Sequence, residues 1–146
     1  MNLSKGIKVS VVEAAAAAAQ TDLTTDVLDM QGFEGVMYLA LLGDVTSGSV
    51  LTLTAKGNSA NSVSSPTPVT QKATDAFTAG ASDADSKILM VDVYKPTLRY
   101  QFAILSRTAQ NAVVGGIIAI QYGAGLKPTT QHASVIASAF GLGVSS

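Results

Sequence analysis

Short apolar runs, each closed by a cluster of Gly, Ser, Asn, Asp or Pro, recur along this sequence of 146 residues. Strands have this length and these boundaries, because turn residues end each run before a helix could form. Apart from a run of alanines and the C-terminal tail, no long segment with the 3.6-residue helical period competes with them. The pattern predicts an all-β sandwich or barrel of about eight short strands. The candidate strands cover residues 7–12, 24–30, 33–42, 50–56, 69–76, 88–94, 98–105 and 113–122.

Two of these stretches indicate how a strand would be buried. In residues 50–56, Leu51, Leu53 and Ala55 share one face and polar side chains share the other, which predicts a strand with one buried face. Residues 33–42 are apolar almost throughout, which predicts a strand that is buried on both faces or lies centrally in its sheet.

The alanine run at 14–19 does not fit the strand pattern as clearly. Alanine has the highest intrinsic helix propensity, but six small residues could also lie flat where two backbones approach closely. We therefore interpret this run as a short helix or a loop.

Charge is scarce in this chain, and this limits how it can work. Charged residues make up 13% of the sequence and the formal net charge is -1. A protein with so little charge is expected to be poorly soluble alone, which indicates that other copies or a partner cover much of its surface. The balance of charges argues against a nucleic-acid partner, which would need a basic face. The sequence has no cysteine, so disulfides and thiol chemistry are excluded.

The last twenty residues differ in composition from the rest. We predict a jelly-roll-like β-sandwich domain with an N-terminal strand over residues 1–126 and an extended C-terminal arm over residues 127–146. A frayed terminus is the alternative, but large apolar side chains on a free, uncharged tail would favour aggregation. We therefore expect the arm to dock on a neighbouring subunit. Its candidate interface residues are Val135, Ile136, Phe140 and Leu142.

No motif for catalysis, metal binding or phosphate binding is evident. His132 is the only histidine, and no nucleophile elbow surrounds any serine. Asp83 and Asp85 have a spacing that calcium accepts, but the full twelve-residue calcium-loop pattern is absent, so we interpret them as part of a solvated turn. Residues 115–116 are both glycine inside an apolar strand, which predicts a bulge or a close backbone approach. We therefore predict a protein that is not an enzyme and that has no cofactor and no metal. We also see no signal peptide and no membrane anchor.

Arg99 and Arg107 are the only arginines, and they flank one candidate strand. Arginine is the usual side chain for pairing carboxylates at protein interfaces, so both are candidate interface residues. A hairpin at Lys95-Pro96 would place Asp92 opposite Arg99, and we expect these two side chains to pair.

Several segments resemble the decoration, or cement, proteins that bind outside the heads of tailed bacteriophages. The resemblance covers roughly residues 9–126. The segments that carry it are residues 9–13 (Val-Ser-Val-Val-Glu) with the alanines at 14–19, residues 29–36 (Asp-Met-Gln-Gly-Phe-Glu-Gly-Val), residues 99–104 (Arg-Tyr-Gln-Phe-Ala-Ile), Asn111-Ala112 and Gln121-Tyr122-Gly123.

The resemblance implies a small jelly-roll β domain that assembles as a homotrimer and binds the major capsid protein on the outer surface of a phage head. Such a protein would be made in the host cytoplasm and would stabilise the shell. No functional residue is carried over, because the family has no active-site motif. Two alternatives remain: another virion β protein, at the head–tail joint or in the tail, and a carbohydrate-binding β-sandwich module with calcium at Asp83 and Asp85.

Overall fold

The computed structural model describes residues 2–144, and in them the chain forms one short helix and eleven strands. The helix, α1, spans Leu3–Gly6. The strands are β1 (Lys8–Glu13), β2 (Ala16–Ala19), β3 (Leu23–Thr24), β4 (Leu28–Asp29), β5 (Gly35–Val45), β6 (Val50–Asn58), β7 (Val69–Ala73), β8 (Phe77–Thr78), β9 (Ile88–Tyr94), β10 (Tyr100–Thr108) and β11 (Ala112–Tyr122). The predicted all-β fold is therefore confirmed.

The strands form two antiparallel sheets. Sheet A has the order β1-β11-β5-β9, and β2 also pairs with β11. Sheet B has the order β3-β10-β6-β7, with β4 also on β10 and β8 also on β6. The longest strands, β5 and β11 in sheet A and β6 and β10 in sheet B, occupy the centre of each sheet.

The strand pairs nest from the chain ends inward, which is the topology of a jelly roll. The first strand, β1, pairs with the last, β11; next, β3 and β4 pair with β10; then β5 pairs with β9, and β6 with β7. Successive pairs belong alternately to sheets A and B. The jelly-roll-like sandwich that the resemblance implied is thus the observed architecture.

Inward-facing side chains of both sheets fill the interior. On β6, Leu51, Leu53 and Ala55 are fully buried, which confirms the predicted face. On β5, Val36 and Tyr38 are also fully buried and contribute to the same core cluster from sheet A. Burying these side chains supplies the main favourable term for folding, at roughly 1.5–3 kcal/mol for each large one.

The alanine run forms a strand, and the expectation of a short helix or a loop was wrong. Ala19 pairs with Ala112 and Ala16 with Val114, both on β11. The guanidinium of Arg107 donates to the carbonyl of Ala17 at 2.9 Å. In a helix this carbonyl would instead accept a backbone N–H of the same helix. These tertiary contacts outweigh the helix propensity of alanine, which is worth less than about 1 kcal/mol per residue.

Two predicted strands are interrupted in the structure. Within residues 24–30, β3 ends at Thr24 and β4 covers Leu28–Asp29. Thr25 lies between the two strands, and its hydroxyl accepts the amide N–H of Ala103 at 2.9 Å. Residues 69–76 contain β7 and then leave the sheet before β8. The predicted bulge at the glycines of β11 is confirmed, since the pairing register with β5 shifts between Val114 and Gly116.

Among residues 2–144, no helix has the length and apolarity that crossing a membrane requires.

Candidate functional site

The outer surface of sheet A is apolar across four strands. Side chains alternate along a strand, so the residues between the core positions point away from the sandwich. On sheet A these outward positions are almost all aliphatic. We call this surface the outer apolar face. It consists of Val9, Val11, Met37, Leu39, Leu41, Ile88, Met90, Ile118 and Ile120.

The pairing registers align these side chains in three rows across the sheet. The first row contains Val9, Ile120 and Met37; the second contains Val11, Ile118, Leu39 and Met90; the third contains Leu41 and Ile88. Neighbours within a row lie on directly paired strands, so their side chains are in contact range. The rows therefore form one continuous patch.

Solvent reaches the outer apolar face. Met90 and Ile88 are 58% and 57% exposed, Leu41 is 46% exposed and Val11 is 43% exposed. Strands spaced about 4.8 Å apart, with about 3.4 Å per residue along each, give the patch an area on the order of 350 Å². A patch of this size is as large as the largest apolar patch on a typical monomer, and such patches are often interaction sites.

The outer surface of sheet B differs. There the outward positions of β6 are Thr52, Thr54 and Lys56, all half-buried, and they are paired with Ser106, Ile104 and Phe102 of β10. Polar side chains thus predominate on one outer surface of the sandwich and apolar ones on the other. The two sheets are not equivalent as binding surfaces.

One end of the outer apolar face has a polar border. The Tyr122 ring lies so close to Gly35 that a Cβ at this glycine would collide with it. The Tyr122 hydroxyl donates to the carboxylate of Asp92 at 2.5 Å. Burial, and then the hydrogen bond to Asp92, raise the pKa of Tyr122 well above its ordinary value. Tyr94, which is 60% exposed, lies on the other side of Gly35 in the same row.

Arg99 forms an ion pair, but its partner is Asp29. Its Nε and Nη2 donate to the two carboxylate oxygens of Asp29, each at 2.8 Å, and Nη2 also donates to Gln31. The expected pair with Asp92 was wrong, because Asp92 lies on β9 in sheet A and the strand that follows Arg99 lies in sheet B. The Arg99 side chain is about half-exposed although it is part of this ion pair, and its role at an interface stays a prediction.

Arg107 lies inside the chain. Its side chain is among the largest that are fully buried. It donates to three main-chain carbonyls, those of Ala17, Thr21 and Ala112, at 2.7–2.9 Å, and to the Thr21 hydroxyl at 3.1 Å. These bonds join β10 to β2 and to the start of β11. The suggested interface role of Arg107 stays a prediction, although in this structure its guanidinium contacts its own chain.

The first part of the C-terminal arm runs along the free edge of β1. The amide N–H of Val9 donates to Gln131 Oε1 at 2.8 Å, and that of Val11 donates to Ser134 Oγ at 2.9 Å. Gln131 Nε2 in turn donates to the carbonyl of Ile7 at 2.7 Å. An edge strand presents unpaired N–H groups that could pair with another chain. The arm therefore caps this edge with side chains instead of a strand.

Beyond Ser134 the arm is apolar and largely free of contacts. Ile136 is 98% exposed, Leu142 is 84% exposed and Val144 is 96% exposed. Phe140 is half-exposed, with its ring 5.2 Å from Lys5 Nζ. Of the other predicted interface residues, Val135 is half-buried.

The polar groups singled out from the sequence do not converge. His132 Nδ1 lies 2.8 Å from Ser134 Oγ on the exposed arm. Asp83 accepts the amide N–H of Gly80 in its own turn at 2.7 Å, and Asp85 accepts that of Val45 at the end of β5 at 2.9 Å, so both carboxylates bind main-chain groups. Within residues 2–144 no group of three or more His, Asp or Glu side chains is arranged to hold a metal ion.

A cleft of about 880 Å³ lies between α1 and the loop that follows β11. Its ionisable lining groups are Lys5, Tyr122 and Lys127, with no carboxylate or imidazole among the lining residues.

Sequence reasoning missed the outer apolar face, although a signal for it was present. In residues 33–42, 88–94 and 113–122 the side chains are apolar at both odd and even positions. In an open sandwich only one face of a strand packs against the core. Apolar residues at both odd and even positions therefore indicate that the other face of the strand is covered as well.

Comparison with known proteins supports the architecture. No family model matches the chain, and no curated protein matches it. Among solved structures, the crystal structure of PBSX exported protein XepA matches 99% of this chain with a TM-score of 0.51 and 17% sequence identity. This chain spans 44% of the XepA chain. The structure of Eiger TNF from S. frugiperda matches 87% of this chain and 91% of its own, with a TM-score of 0.36 and 10% identity. At this identity the likeness to XepA shows a shared fold.

Proposed function

We propose that this chain is a structural protein of a phage virion, a decoration protein that binds the outside of the head as a homotrimer and stabilises the shell. Its partners are two further copies of itself and the major capsid protein. It works through shape and apolar contact, without catalysis and without a cofactor. The observation that carries this proposal is the outer apolar face, a patch of nine apolar side chains, four exposed and five half-buried, in a chain with 13% charged residues.

Three further points support the proposal. XepA, whose fold resembles this one, is a phage protein. The segments at 9–19, 29–36, 99–104, 111–112 and 121–123 resemble those of phage decoration proteins. A trimer also presents three copies of any shell-binding surface at once, and such multivalency converts weak single contacts into stable attachment.

The carbohydrate-binding alternative has less support. Asp83 and Asp85, its candidate calcium ligands, already accept main-chain N–H groups, Asp83 from Gly80 in its own turn and Asp85 from Val45 at the end of β5. Aromatic residues make up only 5% of the chain, which leaves little material for a sugar-stacking surface. The other alternative, a virion protein at the head–tail joint or in the tail, shares the same surface properties and differs in its location.

The experiment that tests the proposed function uses purified chain and phage heads assembled from the major capsid protein encoded with it. We expect a trimer mass by native mass spectrometry, and saturable binding at many sites over the whole head surface in electron micrographs of gold-labelled protein. Bound heads are expected to withstand heating or low salt better than bare heads. Label at a single vertex would favour the head–tail alternative, and no label on heads would overturn the decoration function.

A further inference from the structure

We propose that the outer apolar face of one copy is covered by the end of the C-terminal arm of a second copy, through the apolar side chains of Phe140, Leu142 and Val144. This inference rests on the proposed homotrimer and specifies the contact that would build it. We call residues 140–144 the arm tip.

The arm tip has the sequence pattern of an extended segment with one apolar side. Phe140, Leu142 and Val144 alternate with Gly141 and Gly143. In extended backbone, successive side chains point to opposite sides, so the three large side chains would share one side and the other would carry no side chain. A Cβ built at either glycine meets no atom within 4 Å, so the space around these two glycines is open, whereas the Phe140 ring lies 5.2 Å from Lys5 Nζ of the same chain.

The spacing of the arm tip matches the spacing of the face. Alternate residues of an extended segment are about 6.8 Å apart, which is also the distance between successive rows of outward side chains on a sheet. The outer apolar face has three such rows, and the arm tip has three apolar side chains. An arm tip that runs along the strand direction would therefore place one side chain on each row.

The nine side chains of the face and the three of the arm tip carry no charge, and the charged side chain that continues the first row is Asp92, beside Met37. The nine residues of the face are all apolar, and Asp92 at its border is already bonded to Tyr122. The arm has no charged side chain after Lys127. Burial of an unpaired charge is the main cost that opposes apolar association, and this contact avoids it.

The area of each contact is small, and a ring compensates through the number of contacts. A contact that covers the face buries about 350 Å² on each partner, which is less than half of the roughly 800 Å² that each partner buries in a standard interface. In a ring of three copies each copy takes part in two such contacts, so the release of one copy requires both to break.

The symmetry of the contact favours a ring. Face and arm tip are different surfaces, so the contact is heterologous and can close into a ring of three copies. Packing of one outer apolar face against another would be isologous and would generate a two-fold dimer. The capped edge of β1 adjoins the face, because Val9 and Val11 belong to both, so the arm leaves its own chain beside this surface.

Cross-linking tests this contact directly, because the natural chain has no cysteine. One batch of protein carries Met90→Cys. A second batch carries Leu142→Cys and a tag that gives the chain a different mass. After mixing and subunit exchange, a short bismaleimide is expected to join the two chain types, with little product in either batch alone. The matched control pairs Leu142→Cys with Val63→Cys, a residue of comparable exposure in the loop between β6 and β7, and is expected to give no product.

Three outcomes would overturn the inference. Efficient cross-linking of Met90→Cys to itself would show that face meets face. A trimer that gives no Met90–Leu142 product would show that the arm tip lies elsewhere. A chain ended after Ala139, which keeps Gln131 and Ser134, is expected to lose the trimer mass, and retention of the trimer would also contradict the contact.

The same variants separate this inference from the proposed function. If the shortened chain becomes monomeric and the full chain forms trimers that do not bind heads, the contact is supported and the decoration function is wrong. If the shortened chain stays trimeric and binds heads as before, the contact is wrong and the decoration function is supported.

Discussion

Arg107 is a charged side chain in the interior of a sandwich with few charges, and its neighbours explain why it is tolerated. Three carbonyls and one hydroxyl accept hydrogen bonds from it, so each nitrogen of the guanidinium donates at least one. These acceptors belong to β2, to the residues after it and to β11. One side chain therefore fixes a poorly specified alanine strand to both sheets.

We expect Arg107→Met to lower the free energy of unfolding by about 3 kcal/mol, because buried carbonyls lose a charged donor. Arg107→Lys is expected to lower the free energy of unfolding by less, since lysine keeps a charged donor. Some stability is still lost, because lysine lacks the planar group with five donors. Urea denaturation followed by circular dichroism measures both values. Equal midpoints for Arg107→Met and the natural chain would show that these hydrogen bonds contribute no net stability.

The ion pair of Asp29 and Arg99 lies on the surface, and it predicts a weak dependence of stability on pH. The hydrogen bond from Arg99 lowers the pKa of Asp29 from 3.8 to about 2. The depressed pKa means that the contribution is complete above 3.8 and disappears as the pH falls through about 2. Because both side chains are about half-exposed, we expect it to be no more than about 1 kcal/mol.

Comparison of Asp29→Asn with the natural chain tests this pH dependence. The two unfolding free energies are expected to differ near neutral pH and to converge below about pH 2, where the native carboxyl is also protonated. If the difference in unfolding free energy stays the same in acid, it comes from the packing of the Asp29 side chain and not from its charge.

At the scale of single elements, the edge of β1 is unusual because side chains cap it. Gln131 and Ser134 accept the two N–H groups that a neighbouring strand would otherwise take. We expect Gln131→Ala with Ser134→Ala to speed hydrogen exchange at the amides of Val9 and Val11 by about fivefold each, which corresponds to about 1 kcal/mol per hydrogen bond. Hydrogen exchange followed by NMR measures this.

Thr130→Ala is the matched control for the edge, since Thr130 directly precedes the first capping residue, Gln131, and is exposed. Its substitution is expected to leave both exchange rates unchanged. Equal rates in the double variant and the natural chain would mean that water replaces the arm at this edge without loss.

The elements show which parts of the fold a sequence can specify. Residues 50–56 were predicted correctly, because their alternation comes directly from the burial of one face. Residues 14–19 were predicted wrongly, because their strand depends on Arg107, which lies 90 residues from Ala17 along the chain. The pair of Asp29 and Arg99, 70 residues apart, likewise depends on the topology of the sheets.

The candidate site also has one part that the sequence predicts and one part that it does not. The apolar arm was recognisable from composition, because large apolar side chains on an uncharged tail need a cover. The outer apolar face was not recognised, because it joins residues from β1, β5, β9 and β11, which become neighbours only through jelly-roll pairing. Once that pairing is known, the outward positions of four strands identify the face without further information.

At the scale of the whole molecule, the jelly roll gives one sandwich two different outer surfaces. On sheet B the outward residues of β6 are threonine and lysine, beside Ser106, Ile104 and the buried Phe102 of β10, whereas sheet A presents aliphatic side chains in three rows. Association is therefore more favourable on sheet A. The proposed decoration function would use this division, because its subunits would bind one another while the assembly stays dispersed in water.

A single lysine on the outer apolar face tests this division. We expect Leu41→Lys to leave the free energy of unfolding of the single chain within about 0.5 kcal/mol, because the side chain is exposed there, and to weaken self-association at least about tenfold, because assembly would bury an unpaired ammonium. Val63→Lys is the control, since Val63 is 43% exposed and Leu41 is 46% exposed, but Val63 lies outside the face. Sedimentation equilibrium measures the association, and thermal unfolding of diluted samples measures the fold. Trimers of Leu41→Lys that are as stable as those of Val63→Lys would show that the subunits meet through another surface.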